Sequence, residues 1–167
     1  MKRNITFTFL ILFLINIFYS CKKCKELFCE EGFFDLKTCQ CVCENDFEGK
    51  FCNQKVVQKF VGEWQAKDKC TGAKNKNIDY TAKISLTKSK NLIVNNFLSQ
   101  QNINLPLQLN KTEKNFIQLN KIILGNNITL SNGSATINEQ HNQLSWQYCF
   151  EQLGSMYNCT ATWKKIN

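Results

Sequence analysis

The stretch from Cys24 to Cys52, CKELFCEEGFFDLKTCQCVCENDFEGKFC, holds six of the ten cysteines of a 167-residue chain. Its spacing is Cys24-x4-Cys29-x9-Cys39-x-Cys41-x-Cys43-x8-Cys52, with Gly49 three residues before the last cysteine. A segment this short cannot bury enough apolar surface to fold alone, so its order must come from covalent staples. Disulfides form and persist in oxidising compartments, which makes the chain an exported one.

The N-terminus agrees with export. Lys2 and Arg3 precede an uncharged, nearly continuous apolar run from Ile5 to Tyr19. At ~15 residues the run falls short of the ~20 needed to span a bilayer, and its flanks are those of a signal peptide covering residues 1–20. No later stretch is long enough to span. The chain as a whole is basic, with net charge +8. Its lysines are scattered among Asn and Gln rather than gathered on one element with interleaved aromatics, which argues against nucleic acid as a partner.

Behind the cysteine-rich segment (21–53, including Cys21) and a short polar joint, Asn53-Gln54-Lys55, lies a second module over 56–167. It is long enough for its own core. Four segments alternate apolar and polar residues. They are Tyr80/Ala82/Ile84/Leu86, Ile103/Leu105/Leu107/Leu109, Leu144/Trp146/Tyr148/Phe150 and Tyr157/Cys159/Ala161/Trp163. Period-two alternation puts one face in a core and the other in water. Turn residues fall at short intervals, among them Thr71-Gly72, Gly125-Asn126-Asn127, Asn132-Gly133 and Gly154-Ser155. The expected fold is an all-β antiparallel meander, a barrel or a sandwich. Pro106, the only proline, lies within one strand pattern, which predicts an edge or a bulge there and slightly disfavours full closure.

Several local patterns resemble known families. CVCENDFEGKFC, residues 41–52, resembles the C-terminal signature of an EGF-like domain. In that family the cysteines pair first with third, second with fourth and fifth with sixth. The resemblance therefore implies Cys24–Cys39, Cys29–Cys41 and Cys43–Cys52, the last enclosing a small hairpin whose turn uses Gly49. Phe18-Tyr19-Ser20-Cys21 resembles the lipobox of a bacterial lipoprotein, which implies an acylated Cys21 as the mature N-terminus. Without acylation, cleavage near Ser20 would leave a secreted protein. Gly62-Glu63-Trp64 resembles the G-x-W motif of the lipocalin first strand, whose tryptophan closes one barrel end and packs against a basic residue late in the chain. Together these patterns are similar to bacterial lipoproteins that carry a lipocalin-like β-domain behind an EGF-like one.

The three remaining cysteines can be sorted by strand parity. Cys159 shares a face with Tyr157, Ala161 and Trp163, whereas Cys149 lies opposite to Tyr148 and Phe150. Cys70 is in phase with Trp64 and Ala66. A meander that curls round predicts a Cys70–Cys159 bridge and a free Cys149. A bulge would permit the competing bridge Cys149–Cys159 across the turn at Gly154.

Catalytic chemistry is hard to assemble. The one histidine, His141, sits in a polar turn, and no G-x-S-x-G elbow or phosphate-binding glycine loop is present. The acids after Asn53 are Glu63, Asp68, Asp79, Glu113, Glu139 and Glu151, and their spacing singles out no pair. Cys39-x-Cys41-x-Cys43 lacks the spacing of a zinc site, and Lys22 and Lys23 stand where a calcium-binding EGF-like domain places acids. The expectation is a non-enzymatic protein without metal or cofactor. It would be anchored to an outer or cell membrane and would act as an interaction or scaffold module toward another protein or a glycan at the cell surface. The alternative is a lipocalin-like carrier of a small apolar ligand. The many aromatic residues, among them Trp64, Tyr80, Phe97, Phe116, Trp146, Tyr148, Phe150, Tyr157 and Trp163, predict a filled interior instead.

Overall fold

The computed structural model describes residues 24–166 apart from 26, 90, 102, 111 and 126. The signal segment and Cys21 lie outside the described residues. Among those described, no helix is long and apolar enough to cross a membrane.

The cysteine-rich module consists of two small ribbons. Strands β1 (Gly32–Asp35) and β2 (Gln40–Cys43) form an antiparallel pair in which Phe33 faces Val42 and Phe34 faces Cys41. Strands β3 (Phe47–Glu48) and β4 (Gln54–Lys55) form the second. The turn between β3 and β4 uses Gly49 at φ +90, and Cys52 lies within it. The hairpin therefore straddles Cys52 rather than sitting inside the Cys43–Cys52 pair. Gln54 and Lys55, expected to belong to a polar joint, form a strand because their partners on β3 are within reach once Cys52 is tied to Cys43.

A single 3-10 turn, Val56–Lys59, leads into the second module. Its strands are β5 (Gly62–Gly72), β6 (Lys76–Leu86), β7 (Leu92–Asn95), β8 (Asn104–Leu109), β9 (Phe116–Leu119), β10 (Ile122–Gly125), β11 (Ile128–Ile137), β12 (Gln143–Gln152) and β13 (Ser155–Lys165). Each of β5 to β8 pairs with the next strand, and β12 pairs with both β11 and β13. Two further pairings, β9 with β11 and β13 with β5, close the sheet. The result is an eight-stranded antiparallel, lipocalin-like barrel, in which β10 continues the β9 side along the first half of β11.

The closure corrects the expectation drawn from Pro106. β8 pairs with β7 at Asn104–Leu107 but with β9 only at Gln108 and Leu109. Pro106 thus sits where β8 has one neighbour, and its missing N–H leaves no described β9 bond unmade. The barrel closes around the proline, with a thin seam beside it.

Two predicted turns are strand. Gly72 ends β5, and Asn132-Gly133 lies within β11. A bulge at Ser131 shifts the register, so Leu130 pairs with Phe150 and Gly133 with Tyr148. Gly133 is there for space: a Cβ would come within 2.6 Å of the Tyr148 Cβ.

The core follows the alternation. Inward positions on β12 and β13 carry Leu144, Trp146, Tyr148, Phe150, Tyr157, Cys159, Ala161 and Trp163, all buried. Small inward residues face the rings, as register pairs Trp163 with Ala66 and Trp146 with Ala161. Interleaving large and small side chains lets a narrow barrel fill without clashes. Phe116 is only half-buried at the start of β9, whereas Phe60, beyond the alternating segments, is fully buried at the entrance to β5.

Candidate functional site

One end of the barrel is closed by the Gly62-Glu63-Trp64 segment. Trp64 is fully buried and its indole N–H donates to the Phe60 carbonyl at 3.0 Å. The Lys165 ammonium lies 5.3 Å from the Trp64 ring and donates to the Lys59 carbonyl at 2.9 Å. Partial burial holds the Lys165 amine below its usual range. Gly62 has φ +142, and a Cβ there would meet the Lys165 Cε at 2.9 Å. Tryptophan, glycine and late basic residue thus form one closed end, stabilised by cation–π attraction.

The interior holds a feature that residue spacing did not single out. Asp68, on β5, is 1% exposed among aromatic side chains. Its Oδ2 accepts hydrogen bonds from the hydroxyls of Tyr80 (2.9 Å) and Tyr148 (2.6 Å), and its Oδ1 accepts from the Trp163 indole N–H (2.9 Å). Burial pushes the Asp68 carboxyl above the usual carboxylate range, while the three donors pull it back. Burial and the nearby carboxylate push both tyrosines well above the ordinary phenol range. The sequence signal for Asp68 was its phase, since it stands inward with Trp64, Ala66 and Cys70. Both oxygens of this carboxylate are engaged by buried donors.

A strained segment seals the interior above it. The connection from β7 to β8 carries Asn96, Leu98 and Ser99 at φ 62, 54 and 60, all left-handed without glycine. This turns Phe97 and Leu98 inward, with the Phe97 ring 5.2 Å from Tyr148 and 6.2 Å from Trp163. From there Tyr148, Phe150 and Tyr157 continue as a stack toward the far rim, where the Lys76 ammonium lies 4.2 Å from the Tyr157 ring.

The cysteines occupy distinct places. Cys24 is bonded to Cys39, Cys29 to Cys41 and Cys43 to Cys52 in the first module. In the barrel Cys70 is bonded to Cys159, its register partner across β5 and β13. Cys149 is free and half-buried on the outer face, its thiol donating to the Asn158 side-chain oxygen at 2.9 Å. Among the described residues no group of acids, histidines and cysteines could hold a metal ion.

Two cavities among the described residues lie outside the barrel. One of about 770 Å³ runs over the outer surface of β5, β13, β12 and β11, lined by Lys69, Asn132, Ser134, Gln147, Cys149 and Asn158. Another of about 520 Å³ lies at the junction, where His141 joins Glu48, Gln58 and Lys59. There the nearly buried Lys59 ammonium bridges the modules, 2.7 Å from Glu48 Oε2 and 2.6 Å from Asn115 Oδ1. Lys114 adds a second tie, donating to the carbonyls of Glu44 and Phe47.

Residues 33–43 match a family model described as a CXCXC repeat. No curated protein matches the chain. Among solved structures, a redesigned β-barrel is 13% identical, with a TM-score of 0.47, and covers 67% of this chain and 96% of its own. A candidate outer membrane protein from Bacteroides fragilis is 12% identical with a TM-score of 0.46, covering 66% of this chain and 52% of its own. A protein of unknown function from the DUF3598 family of Nostoc punctiforme is 10% identical with a TM-score of 0.43, covering 66% and 49%. The chain thus spans about half the length of these last two.

Proposed function

We propose that this chain is an exported, non-enzymatic protein, lipid-anchored through Cys21, whose EGF-like and lipocalin-like modules form one interaction unit. Its partner would be another protein or a glycan at the cell surface. The observation that carries this reading is the occupied interior. Stacked rings, the inward-turned Phe97 and Leu98, and the Asp68 network occupy interior positions of the barrel, which favours a filled core over a cavity for an apolar ligand. Recognition then belongs to the outside, where the polar groove over β11 to β13 and β5 offers hydroxyls, amides and Lys69. Disulfides in both modules support export.

Mass spectrometry of the mature N-terminus tests the anchor: an acylated Cys21 is expected, and an unmodified one overturns it. Fluorescence titration with fatty acids and retinoids tests the filled interior. Saturable binding near ~1 μM, about −8 kcal/mol, would replace the interaction reading with the carrier one.

A further inference from the structure

The cysteine-rich module carries an unusual amount of exposed apolar surface for its size. Phe28 is 80% exposed, Phe33 64%, Leu36 74% and Val42 42%. Their placement follows from the ribbon. In β1 and β2 the residues Gly32, Phe34, Cys41 and Cys43 alternate onto one face, which the disulfides of Cys41 and Cys43 hold against the rest of the module. Phe33 and Val42, register partners, are thereby sent to the other face, and among the described strands none covers it. Leu36 and Phe28 are tied to the same small unit. The Leu36 carbonyl lies 3.3 Å from the Cys24 sulfur, and Phe28 adjoins the disulfide-bonded Cys29. Exposed apolar side chains gathered on one small module mark a contact surface.

We infer that this face docks into the lipid surface beside the anchor. This rests on the lipid-anchored reading of Cys21. The position of the chain end selects the occupant. Cys21 precedes Cys24 by three residues, which span at most ~11 Å when extended. Acyl chains on Cys21 would thus hold Cys24, and with it Leu36, within that reach of the headgroups. Side chains of Phe and Leu gain free energy at the boundary between headgroups and acyl chains. The contact is apolar rather than electrostatic, because Glu30, Glu31 and Asp35 lie beside Lys25 and Lys37 in the same module.

The test uses the acylated full-length protein bound to phosphatidylcholine vesicles containing lipid brominated in its acyl chains. A Phe33→Trp variant reports depth by quenching, and Ile123→Trp, 78% exposed on β10 at the barrel end away from the junction, is the control. Neither substitution touches a buried position. Quenching of Phe33→Trp without quenching of Ile123→Trp is expected. A protein that floats with the vesicles while Phe33→Trp stays unquenched overturns the docking and leaves the anchor standing. A protein that fails to float removes the anchor instead. In that case the unacylated full mature chain carrying Cys21→Ser decides. Adding F28S, F33S and L36S should lower its partition into the same vesicles by about tenfold or more. No measurable partition of the Cys21→Ser chain, or partition unchanged by the three substitutions, overturns the docking.

Discussion

Replacing Asp68 with leucine tests the reasoning about the barrel interior most directly. The substitution keeps the heavy-atom count and branching of the side chain and removes the acceptor shared by Tyr80, Tyr148 and Trp163. Each buried donor left without a partner costs about 1–3 kcal/mol, so three together cost roughly 3–9 kcal/mol. Removing a buried carboxylate returns several kcal/mol of desolvation, since Asp68 is 1% exposed. The expected net loss is about 2–4 kcal/mol, seen as a fall in the thermal midpoint of about 10 °C or more. The combination D68L/Y80F/Y148F removes two of the three orphaned donors and leaves only the Trp163 N–H. It should therefore be more stable than D68L alone, although Y80F and Y148F each destabilise the wild type. Urea unfolding of the wild type, D68L, Y80F/Y148F and D68L/Y80F/Y148F gives the coupling term. D68L as stable as wild type, or tyrosine losses that simply add in the D68L background, would refute the network. The raised carboxyl of Asp68 also fixes a sign. A group whose folded pKa lies above its unfolded value of 3.8 contributes stability fully below that value and loses it as pH rises through the folded pKa. The stability gap between wild type and D68L should narrow across that window, and a gap that widens would contradict the burial argument.

Three further outcomes are expected. Gly62→Ala combines φ +142 with a contact of 2.9 Å to Lys165 Cε, so it should cost about 1–3 kcal/mol in denaturant unfolding; Lys165→Ala in the same background should recover part of that loss. Replacing Cys70 and Cys159 with serine opens a loop of sequence separation 89 and should cost about 4 kcal/mol by the chain-entropy model, checked by calorimetry of the oxidised proteins. Reduction should expose the segment from Cys24 to Cys52 to protease before the barrel is cut, and equal resistance before and after reduction would show that the disulfides are not what orders it.

Strand parity made most of the barrel legible. On β12 and β13 an aromatic or apolar residue recurs at every second position, so the inward face could be read without knowing the partners. On β11 the same reading failed, because the bulge at Ser131 interrupts the period and Gly133 imitates a turn residue while making room for Tyr148. Closure was also obscured, since a proline within a strand normally marks an edge, and only the staggered pairing of β8 shows that the seam tolerates it. The role of Asp68 was illegible for a different reason, although its inward phase could be read. Its meaning depends on Tyr80, Tyr148 and Trp163 arriving from three other strands, and no local pattern encodes that convergence. The inward turn of Phe97 and Leu98 rests on left-handed backbone at residues whose side chains do not advertise it.

The bridge between Cys70 and Cys159 has a mechanical consequence. A pull applied at the N-terminus reaches the barrel through β4 and the 3-10 turn and arrives at Gly62, the start of β5. Loaded from that end, β5 would be peeled from β6 and β13 one rung after another, the geometry in which a sheet resists least. The covalent bond at Cys70 stops this unzipping near the far end of the strand and passes the load to Cys159, in the middle of β13. Beyond that point the load falls on β13, which is paired along its length with β12 as well as with β5. The disulfide therefore acts as a ratchet pawl, halting the unzipping of β5 and sharing the load with a second strand.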